Sequence, residues 1–351
     1  MNGRPGTATT LLGSALAIAA LHCGSDGDAT GGSGGKAGSG GSSSSTATTT
    51  ASGQGGASAS GWTDLAPLPS PRQENAVVAL AGEIYVIGGF DAQAGVLASV
   101  EAYDPSNNAW RDVAPLPEPR HHVHAAVVND KLYVLGGLKA LSFTADGDSW
   151  VYDPGLDAWS PVASMPAGTE RGGGVVGVVG DEIVVAGGLR QGAVPDTSAY
   201  DVVQNTWRSL APLPEPLDHL AGGAVDGMVY ALGGRDTGIE DLSGDVYVYD
   251  PGSDTWSAGA SMLTPRGGTA GAVVEGRLYV FGGEGNVDAQ SGVFAEVSRY
   301  DPGPGAWTSL PAMPVPRHGT GAASLNGIIY VPGGATTQAF GAVDVHEAYI
   351  P

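Results

Sequence analysis

The chain has 351 residues, a formal net charge of −21, 58 Gly, 24 Pro and one Cys. So large an acidic excess argues against a nucleic-acid partner, because a phosphate backbone calls for a basic footprint. A single Cys excludes a disulfide framework, and the length does not force two domains, since closed all-β arrays run past about 250 residues as one.

Residues 1–22 carry one positive charge, Arg4, ahead of an apolar stretch from Leu11 to Leu21. This is the form of a secretory signal peptide, and it is too short to span a bilayer, which takes about 20 apolar residues. Cys23 follows, with Gly24, Ser25 and Asp26 behind it. That arrangement resembles the lipid-accepting Cys of a bacterial lipoprotein signal. The resemblance implies an exported protein of the cell envelope, on the outer membrane or in the periplasm, touching the membrane through a lipid anchor only. His22 departs from the pattern, which has a small residue before the Cys; ordinary signal cleavage there would give a secreted chain. With Cys23, residues 23–60 form a Gly/Ser/Thr-rich segment that buries nothing and is expected to be a disordered tether.

From residue 61 onward one unit is repeated. Gly pairs close short apolar runs at Gly88-Gly89, Gly136-Gly137, Gly187-Gly188, Gly233-Gly234, Gly282-Gly283 and Gly333-Gly334. The period near 50 predicts an array of blades. In the second unit, two apolar runs between Pro119 and Gly137 flank a two-residue turn, and Asp226-Gly227, Glu275-Gly276 and Asn326-Gly327 stand at the corresponding turns. Such pairs tolerate positive φ and favour tight hairpins. A third strand ends at Tyr152-Asp153-Pro154, and a fourth carries Trp159. The Tyr series is Tyr103, Tyr152, Tyr200, Tyr249, Tyr300 and Tyr349, and the Trp series is Trp62, Trp110, Trp159, Trp207, Trp256 and Trp307. Trp62 precedes the first Gly pair and no Trp follows Tyr349, so the strand at Trp62 is expected to complete the last blade beside Tyr349 and leave no open edge.

The Gly-Gly, Tyr and Trp pattern in six copies over residues 61–351 resembles the kelch repeat. The resemblance implies an all-β fold, a six-bladed β-propeller of four-stranded blades closed by the N-terminal strand. Departures are local: Val184 replaces a Tyr, Val202 a Pro and Ile350 an Asp.

Long, divergent loops fall on one face, after each Gly pair, and divergent loops on a rigid ring are where recognition resides. Arg72, Arg120, Arg171, Arg266 and Arg317 share one repeat position. They read either as an anion-binding ring or as ties between blades through backbone carbonyls. Just after them stand Gln73-Glu74, His121-His122, Gly172-Gly173, Asp218-His219, Gly267-Gly268 and His318-Gly319. The candidate ligand-binding residues are therefore Glu74, Arg120, His121, His122, Asp218, His219, Arg317 and His318. His124, two residues beyond His122, is expected on the same strand face as His122. Metal-ligand spacing is absent, so no metal and no cofactor is expected. Asp236, Glu240, Asp241 and Asp245 put four carboxylates in one loop without the alternation of a calcium loop, so a solvated acidic loop is expected.

The expected function is that of a monomeric, non-catalytic recognition module binding a protein or glycan through the long-loop face. The alternative comes from resemblance to exported kelch propellers that act as sugar mutarotases or epimerases, with Glu74, His122, His219, Arg120 and Arg317 as acid, base and anchoring groups. Galactose oxidases of the same type need a Tyr-Cys crosslink with copper, and no Cys occurs in residues 61–351.

Overall fold

The computed structural model describes residues 61–351; the signal-peptide, Cys23 and linker expectations lie outside them. The described residues form 24 strands in six four-stranded antiparallel sheets, with no helix among them. The chain begins with β1 (Trp62–Asp64) and then builds a first complete blade from β2 (Ala76–Leu80), β3 (Glu83–Ile87), β4 (Val100–Asp104) and β5 (Ala109–Val113). The second blade is β6 (His124–Val128), β7 (Lys131–Lys139), β8 (Thr144–Asp153) and β9 (Ala158–Val162). The third is β10 (Val175–Val179), β11 (Glu182–Ala186), β12 (Thr197–Asp201) and β13 (Thr206–Leu210). The fourth is β14 (Ala221–Val225), β15 (Met228–Leu232), β16 (Val246–Asp250) and β17 (Thr255–Ala258). The fifth is β18 (Ala270–Val274), β19 (Arg277–Phe281), β20 (Val297–Asp301) and β21 (Ala306–Leu310). The sixth is β22 (Ala323–Leu325), β23 (Ile328–Pro332) and β24 (His346–Tyr349), completed by β1.

The inner hairpin of each blade turns in two residues. In five of the six, both turn residues have positive φ, as at Ala81-Gly82, Asn129-Asp130 and Asp226-Gly227. That geometry matches the twist of the flanking strands. The Gly pairs serve close approach. A Cβ on Gly88 would collide with the carbonyl oxygen of Arg120 in the next blade, and the neighbouring Gly89 N–H donates to that same carbonyl at 2.8 Å.

This contact recurs around the ring. The second Gly of each pair donates to Arg120, Arg171, Leu217, Arg266, Arg317 or Arg72 of the following blade. The link between blades is thus made by the carbonyl of the Arg position. The Arg side chains do something else: Arg171 reaches the Gly187 and Val185 carbonyls and Ser198, and Arg72 reaches Glu101 and Ser99, all within the blade each Arg enters. Side-chain ties from blade to blade, the expected arrangement, are replaced by side-chain anchoring within one blade and backbone coupling to the previous one. All five guanidinium groups are buried, because only an interior cation can reach so many inward-facing carbonyls.

The outer strands are joined by the Trp series. Each indole N–H of Trp110, Trp159, Trp207, Trp256 and Trp307 donates to a carbonyl of the preceding blade at 2.8–2.9 Å. Tyr103 packs on Trp110 at 5.1 Å, and the other blades repeat the pair. Trp150, outside the series, lies under the Arg120 guanidinium at 5.0 Å.

Closure follows the expected register, with Trp62 opposite Tyr349 and Asp64 opposite Glu347. Trp62 is buried against Tyr349 at 5.0 Å and Phe281 of the fifth blade at 5.7 Å. Replacing so large a buried side chain with Ala removes its transfer energy and leaves a cavity. Trp62→Ala should lower unfolding stability by about 3–5 kcal/mol in urea titration, whereas Trp307→Ala, whose indole is more exposed, should cost less.

Candidate functional site

Where the chain enters each innermost strand it passes the central axis, two residues after the Arg position. The six residues there are Glu74, His122, Gly173, His219, Gly268 and Gly319. Each donates its backbone N–H to the carbonyl of its neighbour in the preceding blade: His122 to Glu74 at 3.0 Å, Gly173 to His122 at 2.9 Å, His219 to Gly173 at 2.7 Å, Gly268 to His219 at 3.0 Å, Gly319 to Gly268 at 2.9 Å, and Glu74 to Gly319. The result is a closed belt of six hydrogen bonds.

The belt requires a left-handed backbone, and all six residues have φ between +53° and +68°. Three of them are Gly, which adopts it freely. The other three, Glu74, His122 and His219, adopt it at a cost of about 1–2 kcal/mol each. Their side chains project into a cavity of about 280 Å³ at the ring axis. The glycines leave them room, since a Cβ on Gly319 would strike Glu74 Oε1.

Inside this cavity His122 Nε2 lies 2.9 Å from His219 Nε2 and 3.0 Å from Glu74 Oε2. These are the three residues among those described whose metal-capable atoms lie within 4.8 Å of one another. The expectation of no metal site rested on linear spacing, and the belt brings together residues 48 and 97 positions apart. A second tier holds the cluster. His121 Nδ1 is 2.5 Å from His122 Nδ1, and Asp218 Oδ1 is 2.5 Å from His219 Nδ1. Arg235 spans Asp218 at 3.2 Å, Glu284 at 2.5 Å and His219 Nε2 at 3.0 Å. His318 directs Nδ1 toward Glu284 at 3.5 Å and Glu74 at 3.9 Å.

Burial lowers His121 to about 4 and holds His122 well below its ordinary value, the neighbouring His219 adding to the latter. Burial alone would raise Glu284, but His318 and Arg235 outweigh it and leave this carboxyl below the usual range.

A family model described as the Attractin/LZTR1 beta-propeller matches residues 84–343. The chain belongs to this kelch-type propeller family. Similar curated proteins include the Kelch-like protein terF of Aspergillus terreus, 35% identical over 299 residues that make up 83% of this chain and 55% of that one. Kelch-like protein 35 of Mus musculus is 35% identical over 175 residues, 50% of this chain and 29% of that one. The chain thus spans about half or less of the length of these relatives. The solved structure of YjhT superposes with a TM-score of 0.67 at 16% identity, covering 80% of this chain and 96% of that one, which is a likeness of fold.

Within this kelch propeller the proposed site residues separate into two groups. Glu74, His121, His122, Asp218, His219 and His318 meet at the mouth of the axis. Arg120 and Arg317 do not: Arg120 is held by Glu118 and Asp146 and Arg317 by Glu347, each with the guanidinium buried in its own blade. His124 does not share a face with His122, because the left-handed turn at His122 precedes β6. His124 instead bonds the Leu135 carbonyl and accepts from Gly174 N–H. In the acidic loop, Asp241 accepts from Thr237 and Asp245 from Ser243, and these carboxylates form no metal-capable group with the other described residues.

Arg235 and Glu284 were missed as site residues. The signal lay in the repeat: the position after each Gly pair is Phe90, Leu138, Leu189, Arg235, Glu284 and Ala335, and charge at two of six otherwise apolar positions marks them. The loop residues Phe143 and Phe340 were missed too, and they pack against Phe90 at 6.1 and 5.6 Å above His121 and His122.

If the belt demands the left-handed region, a methyl group will be penalised even where space allows it. At Gly173 an added Cβ would meet nothing closer than His122 Cδ2 at 3.4 Å. Gly173→Ala should therefore cost about 1–2 kcal/mol in chemical unfolding, and a neutral result would refute backbone strain as a feature of the belt.

Proposed function

We propose that this kelch propeller is a recognition module, acting as a monomer, that binds a protein or glycan ligand through its long-loop face and seats one polar group of that ligand in the axial cavity. What supports the reading is the make-up of the mouth. Hydrogen-bonding groups of Glu74, His122 and His219 line the axial cavity, Phe143 packs against His121 and His122, and Phe340, 43% exposed, packs against Phe90. Polar groups beside aromatic loop residues match a ligand with hydroxyl or carboxylate groups and an apolar edge. The loops carrying that rim differ from blade to blade, while the strands beneath them repeat.

Binding to a glycan array, and photocrosslinking from a reactive analogue at Phe340 for protein ligands, test this with the purified chain. The F143A/F340A double variant should weaken capture at least tenfold, and capture that ignores it would refute the proposed face. The convergence of Glu74 with two imidazoles also favours a second reading, sugar mutarotation, in which these groups relay a proton to open and close a hemiacetal. Anomerically pure sugars followed by NMR separate the two: acceleration abolished by Glu74→Gln supports catalysis, and no acceleration for any sugar leaves recognition alone.

Export to the cell envelope and anchoring at Cys23 complete the proposal, on the sequence of residues 1–60 alone. Mass spectrometry of the mature protein should show a lipidated N-terminal Cys23, and Cys23→Ala should release the protein from the membrane fraction. An unmodified Cys23 in the mature chain would overturn anchoring and leave a secreted protein.

A further inference from the structure

The hydrogen-bond pattern around the axial cluster orients its imidazoles. His121 Nε2 is 3.0 Å from the Ala140 carbonyl oxygen, which can only accept, so Nε2 carries the hydrogen. His121 Nδ1 meets His122 Nδ1 at 2.5 Å, which turns His122 Nε2 toward the axis. On the other side Asp218 pairs with His219 Nδ1, which turns His219 Nε2 toward the axis. His122 Nε2 and His219 Nε2 therefore face each other at 2.9 Å, and a Glu74 oxygen lies 3.0 Å from His122 Nε2. Arg235 Nη2 donates to His219 Nε2, which marks that nitrogen as an acceptor.

Charge points the same way. Glu74, Asp218 and Glu284 face a single permanent cation, Arg235, at this end of the axis. His318 is 1% exposed, and its Nδ1, aimed at Glu74 and Glu284, has no hydrogen-bond partner. Strain adds a third observation: ligand-type side chains occupy the three belt positions where the scaffold could have used Gly, and strain of this kind persists at functional sites.

We propose that Glu74, His122 and His219 form a three-ligand site for a divalent transition cation of the zinc class, on the propeller axis, with its remaining coordination position open to the cavity. Two imidazoles and a carboxylate are a donor set that such ions take. Bonds of about 2.0–2.1 Å in tetrahedral arrangement put ligand atoms about 3.3 Å apart, so the 2.9 and 3.0 Å separations at His122 Nε2 need to widen by only a few tenths of an ångström, and all three ligand atoms already lie within 4.8 Å of one another. Asp218 behind His219 and His121 behind His122 orient the rings as outer-shell partners do. Arg235 gives up its contact with His219 and keeps those with Asp218 and Glu284. The site stands whether or not the loop face recognises a protein or glycan.

Cobalt is the probe, because its visible absorption reports coordination. The full chain, stripped with chelator, should take up one equivalent of Co²⁺ with the intense visible bands of a four- or five-coordinate nitrogen and oxygen site, and Zn²⁺ should displace it. His122→Gly and His219→Gly use the residue the belt itself prefers, so the backbone is retained, and each should weaken uptake at least 100-fold. Asp218→Asn should weaken it about 10- to 100-fold, a graded loss that a collapsed fold would not give; near-ultraviolet circular dichroism checks the fold of each variant. No stoichiometric uptake by the parent chain overturns the proposal, as does uptake unchanged in both His→Gly variants, which would place the ion elsewhere. A His122 imidazole found protonated at pH 7 by ¹⁵N NMR in chain that takes up no metal would show that a proton fills the gap instead.

Discussion

Each blade of this molecule is a sheet with two open edges and two apolar faces, and it holds its place because its neighbours supply hydrogen bonds at fixed points along the crossover. The second Gly of every pair donates to the carbonyl at the Arg position of the next blade, and two residues further on the belt at the axis repeats the coupling in the other sense. A backbone hydrogen bond between blades leaves no tolerance for side-chain bulk at the point of contact. Hence the Gly pairs recur, and hence the crossover must turn sharply into the left-handed region before it enters the strand.

The same constraint creates the site. A left-handed residue at the axis directs its side chain into the cavity, toward the corresponding residues of the other blades. Where that residue is Gly, as at Gly173, Gly268 and Gly319, the axis is open. With Glu74, His122 and His219 in the other places, three polar side chains from three blades converge, and His122 lies within hydrogen-bond distance of both the others. Packing adds the rest: burial disfavours the charged forms of His121 and His122, and Arg235 and Glu284, one residue past the Gly pairs of adjacent blades, brace the cluster from above. The buried guanidinium groups of the Arg series belong to the frame, where their donors satisfy carbonyls that water cannot reach.

Recognition and frame are therefore separated by position along each repeat. The Gly pairs and the Arg position, which couple each blade to the next, repeat six times or nearly so. Residues that face the axis or the loop tips vary from copy to copy, and they include the charged, imidazole and aromatic groups able to hold a ligand. Phe143 and Phe340 reach the mouth from loops of different blades and meet at Phe90, so the rim is assembled by the ring as a whole.

Much of the frame was legible in the order of residues. Period, hairpin turns, the Trp and Tyr series and the phase of Trp62 against Tyr349 are local or repetitive signals, and a repeated signal reinforces itself with every copy. Six of the eight candidate ligand-binding residues also lie at the axis, because alignment of the repeats marks variable polar positions. What the order of residues could not convey was direction. His122 and His124 looked like partners on one strand, until the positive φ at His122 turned its ring to the axis and left His124 between blades. Arg120 and Arg317 looked able to meet an anion, but their depth in the blade commits them to their own carboxylates. The convergence of Glu74, His122 and His219, residues far apart along the chain, exists only once the ring has closed, since the distances between blades are set by the number of blades and by the hydrogen bonds that join them.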